Sequence, residues 1–437
     1  MGVVKILEGL QLRRFHYILL LISCLVYGLT GMNVLLISVA LPPIIKEWGL
    51  DQTSAGLLAS YGYIGMFLGA VLSGFIADRV GRKYTLMLMI GLGSLFTGLC
   101  GLAWDYWSMA LMRFIAGVGL GGTLPIPGVY MSEYPPARYR GRFVGIVETS
   151  WVYGAILSIF FGYILIPLYG WRTAFIPAYI PLLLIPFITF YTPESLRFLE
   201  KHGRIDEIKR VLKRYKLVED LGKVKLERVE ETKARILNLF RGDYLKRTIL
   251  LWILWAVLVY TYHGIFIWLP SIYATRLGFT VVKSLYWVLI ITLIQVPGYY
   301  SAAFLLDRIG RKGVLVSYLA IAGAASFLMA TATSVNHILL YSALISFFNL
   351  GAWAGLYTYT PELYPTELRA TGSGVAASVG RLAGIAAPAL TGYLFAVSGG
   401  ALIYAFTVFS AAHIVAALTT LALGIETRGK TLEEIAR

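Results

Sequence analysis

From Tyr17 to Pro42 the chain reads YILLLISCLVYGLTGMNVLLISVALP, without a single Asp, Glu, Lys or Arg. That run exceeds the roughly 20 apolar residues that carry a helix across about 30 Å of hydrocarbon. The same pattern recurs. Twelve segments of spanning length begin near Phe15, Ser54, Tyr84, Trp107, Phe143 and Arg172 and, after a polar interval, near Arg247, Lys283, Gly313, His337, Thr371 and Ala401. They are numbered here as spans 1 to 12. In the polar interval, Thr192 to Lys246, the basic Lys209, Arg210, Lys213 and Arg214 alternate with Ile208, Val211 and Leu212, which predicts short amphipathic helices.

Composition removes the competing picture of a soluble enzyme with a very apolar core. The chain is 58% hydrophobic and only 14% charged, and its mean hydropathy of +0.72 lies well above that of water-soluble domains. An integral membrane protein is expected. The first apolar run is too long for the core of a cleavable leader, and further spans follow it. Cys24 and Cys100, the two cysteines, both fall inside apolar runs. They offer neither a disulfide framework nor a metal site, and no metal or cofactor is expected.

The net charge of +15 would suit nucleic acid, but its placement does not. Lys5, Arg13 and Arg14; Arg79, Arg82 and Lys83; Arg138, Arg140 and Arg142; the basic interval; Arg308, Arg311 and Lys312; Arg369; and Arg428 with Lys430 fall on every second connection. Such alternation follows the positive-inside rule and predicts both termini and the interval in the cytoplasm. Glu207, Glu219, Asp220, Glu230 and Glu231 dilute the interval's positive charge, which argues against nucleic acid as a partner.

The two groups of six spans are copies. DRVGRK, starting at Asp78, returns as DRIGRK, starting at Asp307, an offset of 307 minus 78, or 229. EYPPARYRG and ELYPTELRA share that offset at Glu133 and Glu362, Pro136 and Pro365, and Arg140 and Arg369. Two unrelated motifs at one offset predict parallel repeats about an axis along the membrane normal. The expected organisation is a six-helix bundle over 1–191, a cytoplasmic linker over 192–246, a second bundle over 247–425 and a cytoplasmic tail over 426–437.

On these motifs, together with PESLRFLEKHGR (Pro193 to Arg204) and ETRGKTLEEI (Glu426 to Ile435), the chain resembles the major facilitator superfamily along essentially its whole length. The branch it resembles holds sugar porters, organic-ion carriers and metabolite:proton symporters. Within it, YHGIFIWLP (Tyr262 to Pro270) and RFIAGVGLGG (Arg113 to Gly122) are similar to carriers of nicotinate and aromatic acids. The resemblance implies an all-α membrane fold of two pseudo-symmetric bundles that rock about a central cavity. It also implies a latch at the cytoplasmic face, assigned to Asp78, Arg79, Arg82, Glu133, Arg140, Glu194, Arg197, Asp307, Arg308, Arg311, Glu362 and Arg369, some of them bridging the bundles when the inner side is shut. The competing reading is that these are boundary charges satisfying loops, since single exposed ion pairs contribute only about 0 to 1 kcal/mol.

Charges within spans carry the substrate question, because each costs about 2.5 to 3.5 kcal/mol to insert. Arg113 in span 4, Glu148 in span 5 and Arg381 in span 11 qualify. Spans 4 and 5 enter from opposite sides, which puts Arg113 and Glu148 at different depths. Span 1 has Thr30 and Asn33 where related proton symporters carry an acid, leaving two arginines against one glutamate. An excess of positive charge favours an anionic substrate. Gly384 and Pro388 share the face of Arg381, so this thin side of the helix is expected to admit a ligand, with the guanidinium gripping a carboxylate. The competing readings are that Arg381 pairs with carbonyls or Glu148, and that Arg113 only supports packing beside Gly117 and Gly121.

Asn33, Gln295, Tyr299, Asn349, Trp353, Tyr357, Tyr260 and His263 complete the expected pocket, whose aromatic walls suit a small, flat organic acid. Glu148 and His263 are the candidate proton-coupling groups. The spans carry no P-loop, HExxH, GxSxG or catalytic carboxylate pair, so neither an enzyme nor an ATP-driven pump is expected. The expected function is secondary active or facilitative transport of a small organic anion by a multi-pass monomer of the cytoplasmic membrane, in contact with lipid and coupled to protons or uncoupled. Sugar or other neutral-metabolite transport is the alternative, and a solute sensor that does not transport is a further one.

Overall fold

The computed structural model describes residues 11–217, 236–430 and Glu434. Among these residues there is no β-strand, and long helices form eleven apolar runs. Spans 1 to 6 are Arg14–Trp48, Gln52–Val80, Arg82–Leu102, Tyr106–Glu133, Ala137–Tyr169 and Trp171–Tyr191. Span 7 is Asp243–Arg276; spans 10 to 12 are Val335–Glu362, Thr366–Val397 and Ile403–Leu423. Between them Val281–Ala330 runs for 50 residues and contains two spans, because Gly310, at φ 84°, turns the chain inside it. Its repeat mate Gly81, at φ 100°, does the same between spans 2 and 3. A positive φ favours glycine, and a side chain at either position would also collide with a carboxylate, that of Glu194 at Gly81 and of Glu426 at Gly310. The twelve spans form two six-helix bundles.

Short polar signals set the helix starts. The Asp51 carboxylate accepts from the backbone N–H groups of Thr53 and Ser54 at the head of span 2, and Asp105 accepts from Ser108 at the head of span 4. Span 6 departs from a regular α-helix. Its first part, Trp171–Leu183, is a 3-10 helix containing Pro177 and Pro181, residues that lack an N–H and crowd the carbonyl four places back. In the linker, helices Leu196–Lys201 and Ile205–Arg214 bury Leu196, Leu199, Ile208 and Leu212, matching the amphipathic pattern. Lys5, Glu219, Asp220, Glu230 and Glu231 lie outside the described residues.

Within the first bundle, spans 2 and 4 meet backbone to backbone, with Gly117 against the Gly62 carbonyl and Gly121 against Met66. Between the bundles, contacts collect away from the basic end. Gly56 abuts the Pro388 carbonyl, the Ala389 N–H donates to Ser60 Oγ at 3.2 Å, and Gly392 abuts the Gln52 carbonyl. At mid-depth Trp151 Nε1 donates to the Tyr262 hydroxyl at 3.1 Å, and the Tyr153 and Tyr300 hydroxyls lie 3.1 Å apart. The bundles are thus joined at the end opposite the basic motifs.

Candidate functional site

Glu148 is the centre of the mid-membrane site. Tyr27 of span 1 donates to its Oε2, the Tyr357 hydroxyl of span 10 also bonds its carboxylate, and the Arg381 guanidinium of span 11 interacts with it electrostatically. Tyr299 of span 8 adds a hydroxyl that bonds Thr149, the residue after Glu148. Five spans from both bundles therefore converge on one carboxylate. An aromatic wall stands beside it: the rings of Trp255 and Trp353 lie 5.7 Å apart, Trp255 and Tyr357 5.6 Å, and Trp353 and Tyr357 5.3 Å. Arg381 is half-buried and donates no hydrogen bond to any described residue. A guanidinium carries five N–H donors, so this one keeps its fork uncommitted among the described residues.

The thin face beside Arg381 serves a different end from the one expected. Gly384 is filled by Val259 and Tyr63, and Pro388 faces Gly56 of span 2. Small residues there let spans 2, 7 and 11 approach one another.

The remaining candidates divide. His263 sits at the boundary between bundles, its Nδ1 on the Val259 carbonyl at 3.0 Å and its ring edge-on to Tyr63 at 4.8 Å. Gln295 accepts from Tyr262 at 3.5 Å and lines a slot with room for about one water molecule, shared with Ser38, Ser158 and Thr292. Asn349 and Tyr260 turn into the second bundle instead. Asn349 Nδ2 donates to Thr261 Oγ1 at 2.9 Å and meets His413 Nε2 at 3.0 Å, while Tyr260 lies towards Thr391 and packs on Phe409. A buried amide takes whatever partners its own bundle supplies, and His413 supplied one. Asn33 likewise turns into the first bundle, towards Ser94 and the Ala178 carbonyl. Arg113 is apart from Glu148, enclosed by Gly62, Tyr63 and Cys100.

Sequence reading missed Tyr27 and Tyr63 as site residues and did not single out Trp151, Trp255 and Tyr262. The available signal was weak but physical: a tyrosine hydroxyl deep in a span needs a partner.

At the basic end the two copies of the charge motif build the same structure twice. In the first, the Glu194 carboxylate accepts from the backbone N–H groups of Arg82 (2.7 Å) and Lys83, the Arg82 side chain pairs with Glu133 at 2.9 Å, and Ser195 Oγ donates to Glu133 at 2.5 Å. In the second, Glu426 accepts from Arg311 (3.0 Å) and Lys312, Arg311 pairs with Glu362 at 3.0 Å, and Thr427 Oγ1 donates to Glu362 at 2.6 Å. Burial pushes the Glu194 carboxyl above its ordinary range, opposed by the N–H groups of Ser195, Lys83 and Arg82. Asp78 pairs with Lys201 at 3.8 Å and Asp307 with Arg311 at 3.5 Å. Arg140 Nε donates to the Pro135 carbonyl at 3.0 Å, and Arg369 reaches the Tyr364 carbonyl at 3.5 Å. Arg428 reaches the Arg308 carbonyl, and Arg197 is among the charges acting on Glu133. The ion pairs Arg82 with Glu133, Asp78 with Lys201, Asp307 with Arg311 and Arg311 with Glu362 each stay within one bundle and its adjoining segment.

Two six-helix bundles, joined at one end and enclosing an acid, a cation and an aromatic wall at mid-membrane, define a membrane carrier. The profile described as "Sugar (and other) transporter" matches residues 24–437, and the chain belongs to that family, within the major facilitator fold; it is a transporter, not an enzyme. It is 37% identical over 439 residues to the "Niacin transporter NiaP" of Acinetobacter baylyi, covering 100% of both chains. It is 28% identical over 403 residues to the "Benzoate transport protein" of the same species, covering 90% of this chain and 86% of that one. Among solved structures it is similar to a D-xylose-proton symporter, with a TM-score of 0.75 at 20% identity over 95% of this chain and 100% of that one.

Proposed function

We propose that the protein carries small organic anions, aromatic or other monocarboxylates, across the cell membrane by alternating access, with the substrate carboxylate held by Arg381. The observation that carries this reading is the half-buried guanidinium at mid-span with no hydrogen bond to a described residue, facing Glu148 and a wall of three aromatic rings. Two parallel hydrogen bonds from a planar fork fit a carboxylate, and ring faces fit a flat acid. The relatives named for niacin and benzoate support the same chemistry.

Glu148 and the substrate compete for the hydroxyl donors of Tyr27 and Tyr357 and for the positive field of Arg381. A proton on Glu148 removes its claim on Arg381 and admits the anion, so the carrier moves acid and proton together. The alternating basic connections support a basic end in the cytoplasm with both termini there, and the joint at the opposite end supports an inward-open arrangement of the bundles. The division at 1–191, 192–246, 247–425 and 426–437 follows from the same repeat. A sugar is the lesser reading: its many hydroxyls need amide partners, yet the NH2 groups of Asn349 and Asn33 are already engaged within their bundles.

The test uses the unmodified protein in liposomes. Once a transported acid is found among nicotinate, benzoate and related monocarboxylates, its neutral amide should compete at least tenfold more weakly. Equal competition by acid and amide, or inhibition by neutral hexoses instead, overturns the reading.

A further inference from the structure

Apart from the Glu148 site, the first bundle holds a second cation. Arg113 of span 4 is 2% exposed, and among the described residues its Nε and Nη1 have no partner and its interacting titratable neighbours are the Cys100 thiol and the Tyr63 phenol. No carboxylate does. The fork lies against span 2, where a side chain at Gly62 would strike it. The Tyr63 hydroxyl, which interacts with Arg113, is also buried without a partner, and so is Nε2 of His263, whose ring stands edge-on to Tyr63 at 4.8 Å. Among the described residues, Tyr63 and its two neighbours from spans 4 and 7 thus leave hydrogen-bonding capacity unused.

An arginine does not shed its proton in a protein, so burial without a counter-charge cannot be relieved by neutralisation. The donors are N–H groups of Arg113 and the O–H of Tyr63, a set that fits an anion and repels a cation. Across the bundle boundary, the joint formed by Gly56 with Pro388 and by Ser60 with Ala389 lies one to two helical turns from Tyr63 along span 2, on the side away from the basic motifs. We infer that Arg113 and Tyr63 form a second anion site, distinct from the Arg381 site, that takes a small monovalent anion when the bundles part at that end. Chloride and the carboxylate of an organic acid share the chemistry required, and the experiment separates them.

The readout is thermal unfolding of the full chain in detergent, with sodium chloride exchanged for sodium gluconate at constant ionic strength, and separately with sodium benzoate added. Using Arg381→Ala as the background removes the first site. A saturable rise in Tm of several degrees with chloride identifies a resident inorganic anion. The same rise with benzoate but not chloride identifies the carboxylate. Either rise must vanish in Arg113→Met and shrink in Tyr63→Phe. Because methionine removes the buried charge along with the site, Arg113→Met in gluconate should unfold no lower than its parent in gluconate. A Tm indifferent to both salts overturns the inference, as does a shift that survives Arg113→Met. So does an Arg113→Met protein that is less stable than its parent by the same amount in every salt, the mark of a purely structural arginine. The measurement needs no transport, so it stands or fails apart from the proposed function.

Discussion

The basic end and the mid-membrane pocket treat the internal repeat in opposite ways. At the basic end nearly every partner has its mate: Gly81 and Gly310, Arg82 and Arg311, Glu133 and Glu362 sit at the 229-residue offset, and Glu194 with Ser195 answers Glu426 with Thr427. Even the tyrosines agree, Tyr130 donating to the Pro193 carbonyl and Tyr359 to the Ile425 carbonyl. PESLRFL and ETRGKT, unlike as strings, do one job, which is to cap the helix that follows the glycine turn. In the pocket the repeat is broken. Residue 148 plus 229 is Ala377, one helical turn from Arg381, and 381 minus 229 is Val152, one turn from Glu148. An acid and a cation thus face each other from repeat-related spans 5 and 11, each opposite an apolar mate. Symmetry is kept where both halves need the same loop held, and lost at the site proposed to grip a ligand that itself lacks symmetry.

The comparison is broken most directly at Arg381. Arg381→Ala should abolish transport, and Arg381→Lys should recover little, because an ammonium cannot reproduce the fork. Charge-assisted hydrogen bonds contribute about 1.5 to 3 kcal/mol, so affinity for the acid should fall about tenfold or more. Binding of the substrate acid measures this, with a monodisperse elution profile to establish folding. A lysine variant that binds and transports like its parent would reduce Arg381 to a structural charge.

Next in size is Glu148. If, as proposed, Glu148 shares donors with the substrate, Glu148→Gln should end accumulation driven by a pH gradient while exchange of substrate across the membrane continues. His263→Gln should leave accumulation intact, because His263 bonds the Val259 carbonyl and packs on Tyr63 rather than on Glu148. Accumulation that survives Glu148→Gln sinks the coupling scheme.

Much of this architecture was legible in the sequence, for reasons that also explain what was not. Span starts could be read because hydrocarbon thickness imposes a length on apolar runs, and the expected starts at Phe15, Ser54, Tyr84 and Trp107 fall within a few residues of the helices that form. The glycine turns could be read from a repeated motif. The 3-10 opening of span 6 was written in Pro177 and Pro181 but needed three-dimensional packing to be tolerated. Side-chain direction was the weak point. Four-residue spacing placed Asn349, Trp353 and Tyr357 on one stripe, yet Asn349 serves His413 while Tyr357 serves Glu148. Helical periodicity fixes a face; it does not say which neighbouring helix that face meets. Tyr27 escaped notice because its role depends on Glu148, which lies 121 positions away.

The smallest effect sharpens the symmetric half of the comparison. Glu194→Gln and Glu426→Gln each keep the shape of the cap and remove its charge, so each weakens hydrogen bonds to two backbone N–H groups at the head of a span. Both should lower Tm by a few degrees and slow transport a few-fold, by matching amounts, while affinity for the substrate stays at the parent value. The exposed Asp78 with Lys201, 3.8 Å apart and 67% and 59% exposed, provides the lower bound: Asp78→Asn should change stability by less than about 1 kcal/mol. If one cap variant is silent and the other disabling, the two motifs are alike only in geometry. One half then governs the rocking of the bundles, and the symmetry at the basic end is inherited form without shared work.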